Sequence, residues 1–196
     1  MNQINCCISG GYVVYRAGFS SNYTDVDIFI DGHNFDETSF LEWDNEIRVV
    51  PKENYVHVGR LRKRFTITTT DEVSNMSNKI DFIIWHCDIK TDNNHMFSEL
   101  VTSEFDIDVC RTSIIMVEEE CRMVFNSNFK LFIRNETQEF QYVTNENKAH
   151  CKRFLKYVKR LKPCYRLFFS SCAPSFDIEH LMRFRELTLE RNDMCA

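Results

Sequence analysis

The chain has 196 residues, 43% of them hydrophobic and 13% aromatic, and carries a formal net charge of −5. That length and composition suit one domain, or one with an appended subdomain, burying its own core, and exclude a disordered chain. The acidic balance excludes a general nucleic-acid binder and leaves only local basic patches for such a role.

Residues 1–5 lack a basic stretch followed by a long apolar run, and no apolar segment reaches membrane-spanning length, so neither a signal peptide nor a membrane partner is expected. The nine cysteines show no Cys-x-x-Cys pairing. They read as reduced, mostly buried thiols of a cytosolic or nuclear protein, with no required disulfide.

In chain order, residues 4–8 read as a short apolar strand. Gly10 and Gly11 follow, residues 12–16 read as one or two helical turns, and Gly18 ends them. After a polar loop over 20–24, residues 25–31 alternate acid and apolar, the period of a strand. A short helix is expected over 38–43, strands over 46–50 and 55–70, a turn over 71–78, and a central strand over 79–86, "KIDFIIWH". A helix over 95–103 precedes four strands, 109–117, 121–125, 129–133 and 139–143, joined by polar turns. A basic amphipathic helix spans 147–161 and stops before Pro163, and a second helix spans 178–190. The fold class is α+β: a mixed sheet flanked by helices, with a C-terminal β-meander and helical segment. Residues 1–90 read as the core module and 91–196 as an extension packed on it.

The chemistry concentrates early. Side chains two apart on a strand share a face, so Asp25 and Asp27 project side by side while Val26, Ile28 and Ile30 are apolar. Two carboxylates held that close repel, which favours a shared proton or a divalent cation. Upstream, the Gly10-Gly11 pair at a strand end lets backbone N–H groups approach a phosphate without side-chain clash. Three of the chain's five glycines lie in this stretch, which reads as a phosphate cradle beside a metal site; the plainer alternative is a tight turn followed by an edge strand with a solvated face.

These elements resemble the signature of the DNA polymerase beta-like nucleotidyltransferase superfamily. Ser9, Gly10 and Gly11 match its glycine element, and Asp25, Val26, Asp27 and Ile28 match its acid–apolar–acid–apolar strand. The Gly-Gly pair and later Gly18 look closest to the branch of CCA-adding enzymes and poly(A) polymerases. That branch carries an Arg-Asp pair in the helix, where this chain has Tyr12-Val13-Val14-Tyr15. The resemblance implies a nucleotidyltransferase-like mixed sheet and a third acid on a neighbouring strand. Asp81, the one charge inside an apolar strand, fits that place. Lys79 is the partner Asp81 would have at an exposed strand end; a metal is the partner it would have in the interior. A second acid pair, Asp106 and Asp108, has the same alternation but no glycine cradle, and reads as a strand entrance.

Two basic stretches could meet phosphate. Arg60, Arg62 and Arg64 fall at strand spacing, and three aligned cations call for an anion or a solvated edge. In "KRFLKYVKRLK", Arg153, Lys156 and Arg160 share a helical face beside Tyr157. This resembles an Arg-x-x-Lys-Tyr-x-x-Arg helix of nucleotidyltransferase-like proteins of large DNA viruses. No zinc spacing, Gly-x-Ser-x-Gly elbow or P-loop occurs.

The resemblance thus implies transfer of a nucleoside monophosphate from a nucleoside triphosphate to an acceptor: an RNA 3′ end, a protein or a small molecule. Asp25, Asp27 and Asp81 would bind Mg²⁺ or Mn²⁺. Ser9, Gly10, Gly11, Arg62, Lys156 and Arg160 would bind the nucleotide. The alternative is an inactive member of the fold that binds nucleotides or proteins.

Overall fold

The computed structural model describes residues 4–42, 50–57, 60–70, 77–86, 88–105, 107–127, 129–130, 137–141, 156–157, 159–161 and 166–170. The order is β1 (Cys6–Ser9), α1 (Gly11–Arg16), β2 (Val26–Asp31), a 3-10 turn (Gly32–Asn34), α2 (Glu37–Glu42), β3 (Val50–His57), β4 (Arg60–Thr70), β5 (Ser77–Trp85) and α3 (Asn94–Ser103). A second 3-10 turn (Asp108–Cys110), β6 (Thr112–Val117), β7 (Glu120–Phe125), β8 (Thr137–Gln141) and β9 (Arg166–Ser170) follow. The first seven strands form one sheet in the order β3-β4-β5-β2-β1-β6-β7. β2 and β5 run parallel, and the other neighbours are antiparallel.

Both faces of the sheet are covered. Phe97 and Val101 of α3 pack on Cys7, Phe29, Ile83, Trp85 and Ile115. On the other face Ile30 and Ile84 meet Phe35, Phe40 and Phe82. Polar side chains seat α3: Asn93 caps it by accepting from Met96 N at 2.9 Å. Asn94 accepts from Cys6 N and donates to the Met116 carbonyl, tying the helix to β1 and β6.

The mixed α and β reading holds, with local differences. Of the expected strand at 46–50 only Val50 is described, and residues 46–49 lie outside the described residues. β3 runs on from Val50 through residues 51–54, with an irregularity between Lys52 and Tyr55, so residues 50–57 and 60–70 form two strands where one was expected from 55. β5 begins at Ser77, two residues before its apolar run, because Ser77 and Asn78 pair with Thr70 and Thr69. Residues 109 and 110 lie in a 3-10 turn and not in a strand.

Of the expected strand at 129–133, residues 129 and 130 are helical, as is 127 before them, and 131–133 lie outside the described residues. That turn stacks Phe129 on Phe125 at 5.0 Å and sets it edge-on to Phe19 at 5.3 Å, a burial that outweighs β-propensity. β8 does not continue the meander; it pairs in parallel with β9, a strand the sequence did not announce. Residues 156, 157, 159 and 160 are helical and Leu161 leaves the helix to form a β-bridge with Ser20, while residues 147–155 and 158, the 178–190 helix and Asp106 lie outside the described residues.

One transverse row of the sheet is polar. Ser113, Ser9, Asp27, Asp81 and Thr66 are successive register partners across β6, β1, β2, β5 and β4. Register partners share a face. Two residues along the strands, the same face carries Cys7, Phe29 and Ile83, which pack under α3. The apolar core thus ends in a polar row.

Candidate active site

Asp27 and Asp81 are placed by the parallel pairing of β2 and β5. Asp25 lies one residue before β2. Each acid offers an oxygen within 4.8 Å of one offered by the other two. Asp81 is fully buried and its carboxylate is bound on both sides: Oδ1 accepts from Thr66 Oγ1 at 2.6 Å, and Oδ2 from Lys79 Nζ. Lys79 Nζ also stands 3.6 Å from Asp25 Oδ2. Asp25 Oδ1 accepts from Thr24 Oγ1 at 2.7 Å and lies 3.9 Å from Lys156 Nζ. Asp81 is therefore an interior group, and Lys79 pairs with it there and not at an exposed strand end.

The glycine turn closes over Asp27. Gly10 precedes α1 with φ 84 and ψ −150, a backbone region open essentially to glycine. A Cβ on Gly10 would stand 3.2 Å from Asp27 Oδ2, so glycine also lets the turn approach the acid. Beside Gly11 lie Tyr157 and Arg160: a Cβ there would sit 3.4 Å from the Tyr157 hydroxyl and 3.7 Å from Arg160 Nη1. The segment carrying them is fastened by its backbone. The Arg160 carbonyl accepts from Ser21 N at 2.9 Å, and Leu161 bridges to Ser20.

Arg160 is 91% buried, and its Nη1 finds no hydrogen-bond partner among the described residues. A buried guanidinium nitrogen facing a glycine turn fits an anion better than a structural role. Burial pushes the Tyr157 phenol well above its usual range, and its contacts with the Cys110 thiol push the same way; Arg160 pulls it down. Tyr157 therefore stays a neutral hydrogen-bonding group at physiological pH.

The expected nucleotide residues separate. Gly10, Gly11, Lys156 and Arg160 gather about the acids. Ser9 is buried, with its hydroxyl donating to the Thr112 carbonyl at 2.6 Å, so its side chain serves the sheet. Arg62 pairs with Trp85, four residues along β5 from Asp81, and its side chain lies outside the described residues. Thr66 was not singled out for the site by sequence, and Tyr157 was noted only as the neighbour of the basic residues on its helix. Thr66 carries no local signal, whereas Tyr157 stands at i−3 to Arg160, where helical residues are neighbours.

No protein-family model matches the sequence, and no curated protein matches it. Among solved structures, the chain is similar to a CCA-adding enzyme solved in complex with CTP, with a TM-score of 0.50, 10% sequence identity and 98% of this chain covered. The fold is nucleotidyltransferase-like. This chain spans 40% of that enzyme's length, so the likeness speaks for shared architecture. Within the nucleotidyltransferase-like fold, the acids and the glycine turn meet at one end of the sheet. Three carboxylates are hard oxygen donors that suit Mg²⁺ or Mn²⁺. Among the described residues, no helix is long and apolar enough to cross a membrane.

Proposed function

We propose that the protein is a metal-dependent nucleotidyltransferase. The observation that carries this is the convergence of Asp25, Asp27 and Asp81 within 4.8 Å, beside a glycine turn faced by a buried guanidinium nitrogen. Asp25, Asp27 and Asp81 would hold Mg²⁺ or Mn²⁺, which when bound supplies charge neutralisation for the triphosphate and a more acidic acceptor hydroxyl. Gly10 and Gly11 let the turn approach Asp27, Tyr157 and Arg160 closely, so that its backbone N–H groups can meet a phosphate held there. Arg160 donates to phosphate oxygens from the buried side, and Lys156 adds charge at the mouth.

In the reaction, the acceptor oxygen bonds to the α-phosphorus, the bond to the β-phosphate breaks, pyrophosphate leaves, and the hydroxyl proton passes to solvent. The chain contributes position and charge more than covalent chemistry. The cysteine usage supports a cytosolic or nuclear location. The absence of an Arg-Asp pair at 12–15 favours a second reading, an inactive nucleotide-binding member of the fold.

The test is incubation with labelled nucleoside triphosphates and Mg²⁺ or Mn²⁺, with pyrophosphate measured and the protein and any added RNA weighed by mass spectrometry. Pyrophosphate release abolished by Asp27→Asn supports the transferase. Triphosphate binding without release supports the inactive member, and neither binding nor release removes both.

A further inference from the structure

Lys79 stands where the proposed metal would compete with it. Its ammonium donates to Asp81 Oδ2 and lies 3.6 Å from Asp25 Oδ2. Asp81 has no exposure to water, and its other oxygen is held by Thr66. An ion reaching this carboxylate from the site has to contend with the bond from Lys79. The strands favour the arrangement: Asp27 pairs with Asp81 in parallel register, and Asp25 and Lys79 each stand two residues earlier in the chain. The Lys79 side chain is 31% exposed, whereas the Asp81 side chain that it meets is fully buried.

Charge makes the consequence specific. The three acids sum to −3 and Lys79 reduces that to −2, before Lys156 at 3.9 Å from Asp25 is counted. A free divalent ion must displace or share with an ammonium already seated on its ligands. A metal–triphosphate complex brings phosphate oxygens that can receive the displaced ammonium.

We propose that Lys79 is the resident counter-ion of the acid triad and makes metal entry depend on the triphosphate. The apo triad is held together by Lys79, the free ion binds weakly, and the ion is retained when it arrives with its nucleotide. The proposal deepens the nucleotidyltransferase reading and rests on its metal site.

The test is calorimetric titration with MnCl₂, alone and with α,β-methylene-ATP or α,β-methylene-CTP, on the wild type, Lys79→Met, Lys79→Arg and Asp27→Asn. Methionine keeps an unbranched stem and removes the charge. Lys79→Met is expected to bind free Mn²⁺ about 10-fold more tightly than wild type, since a unit charge a few ångströms away has gone. Lys79→Arg is expected to stay weak, and the gap between wild type and Lys79→Met to shrink with the analogue present. Free Mn²⁺ binding no tighter in Lys79→Met than in wild type overturns the proposal.

If Lys79→Met does not fold, thermal shifts of the wild type decide: Mn²⁺ alone stabilising as much as Mn²⁺ with analogue also overturns it. The metal reading fails separately, when Asp27→Asn binds Mn²⁺ and analogue as the wild type does.

Discussion

Asp27 and Gly10 are coupled at the scale of single residues. Gly10 has a backbone conformation that side chains rarely adopt, and its missing Cβ leaves Asp27 Oδ2 in place. Gly10→Ala is expected to cost about 1–3 kcal/mol for the strained conformation. Urea denaturation measures the loss, and an unchanged midpoint would show that the turn has another conformation in solution. A second acid, Asp31, lies at the other end of β2 and is buried. It accepts from Thr91 Oγ1, His33 Nδ1 and His33 N at 2.7, 2.7 and 3.1 Å. Burial pushes its carboxyl up, but the bonds from Thr91 and His33 outweigh that and hold it below the usual value.

A folded-state value below the unfolded one gives stability that is full above the unfolded value. It is lost as pH falls through the folded value. Asp31→Asn should therefore lower stability at pH 7 by about 1–3 kcal/mol, as expected for bonds to a charged group. The difference from wild type should shrink below about pH 4, near the ordinary carboxylate value. Melting curves across that range test it; a difference independent of pH would contradict the ionised role.

At the scale of elements, the segment around 156–161 brings its chemistry on a fastened backbone. Ser21 and Ser20 hold Arg160 and Leu161 by main-chain bonds, so the Arg160 side chain is dispensable for docking. Arg160→Met should leave stability within about 1 kcal/mol. Triphosphate affinity should fall about 10- to 100-fold, the equivalent of one charge-assisted hydrogen bond. Equal loss of stability and binding would make Arg160 a structural residue.

Elements also show where sequence reading succeeds and fails. β2 was legible because acid and apolar residues alternate, and Asp81 because it is a lone charge in an apolar run. Thr66 was not, because its role comes from β4–β5 register, which pairs residues fifteen apart. The helical turn at Phe129 was hidden for a similar reason: Phe19, which it meets edge-on, is 110 residues away in the sequence. β9 has an apolar centre but gains strand form by pairing with β8, a partner 29 residues earlier at Thr137 and Arg166.

At the scale of the whole molecule, one sheet serves two purposes. Its middle rows are apolar and clasp α3, while one row at its end carries Ser9, Asp27, Asp81 and Thr66. Burying carboxylates in such a row is costly unless cations meet them. Lys79, and more distantly Lys156, supply that charge in the protein alone. On the proposed function, this row receives a metal–triphosphate complex. The most direct measurement is an anomalous-scattering map from crystals grown with Mn²⁺ and α,β-methylene-ATP or α,β-methylene-CTP. A manganese peak about 2.0–2.2 Å from oxygens of Asp25, Asp27 and Asp81 is expected by analogy with magnesium coordination. Phosphates should lie against Gly10 and Gly11 and within reach of Arg160. Manganese bound elsewhere, with the triad still closed on Lys79, would contradict it.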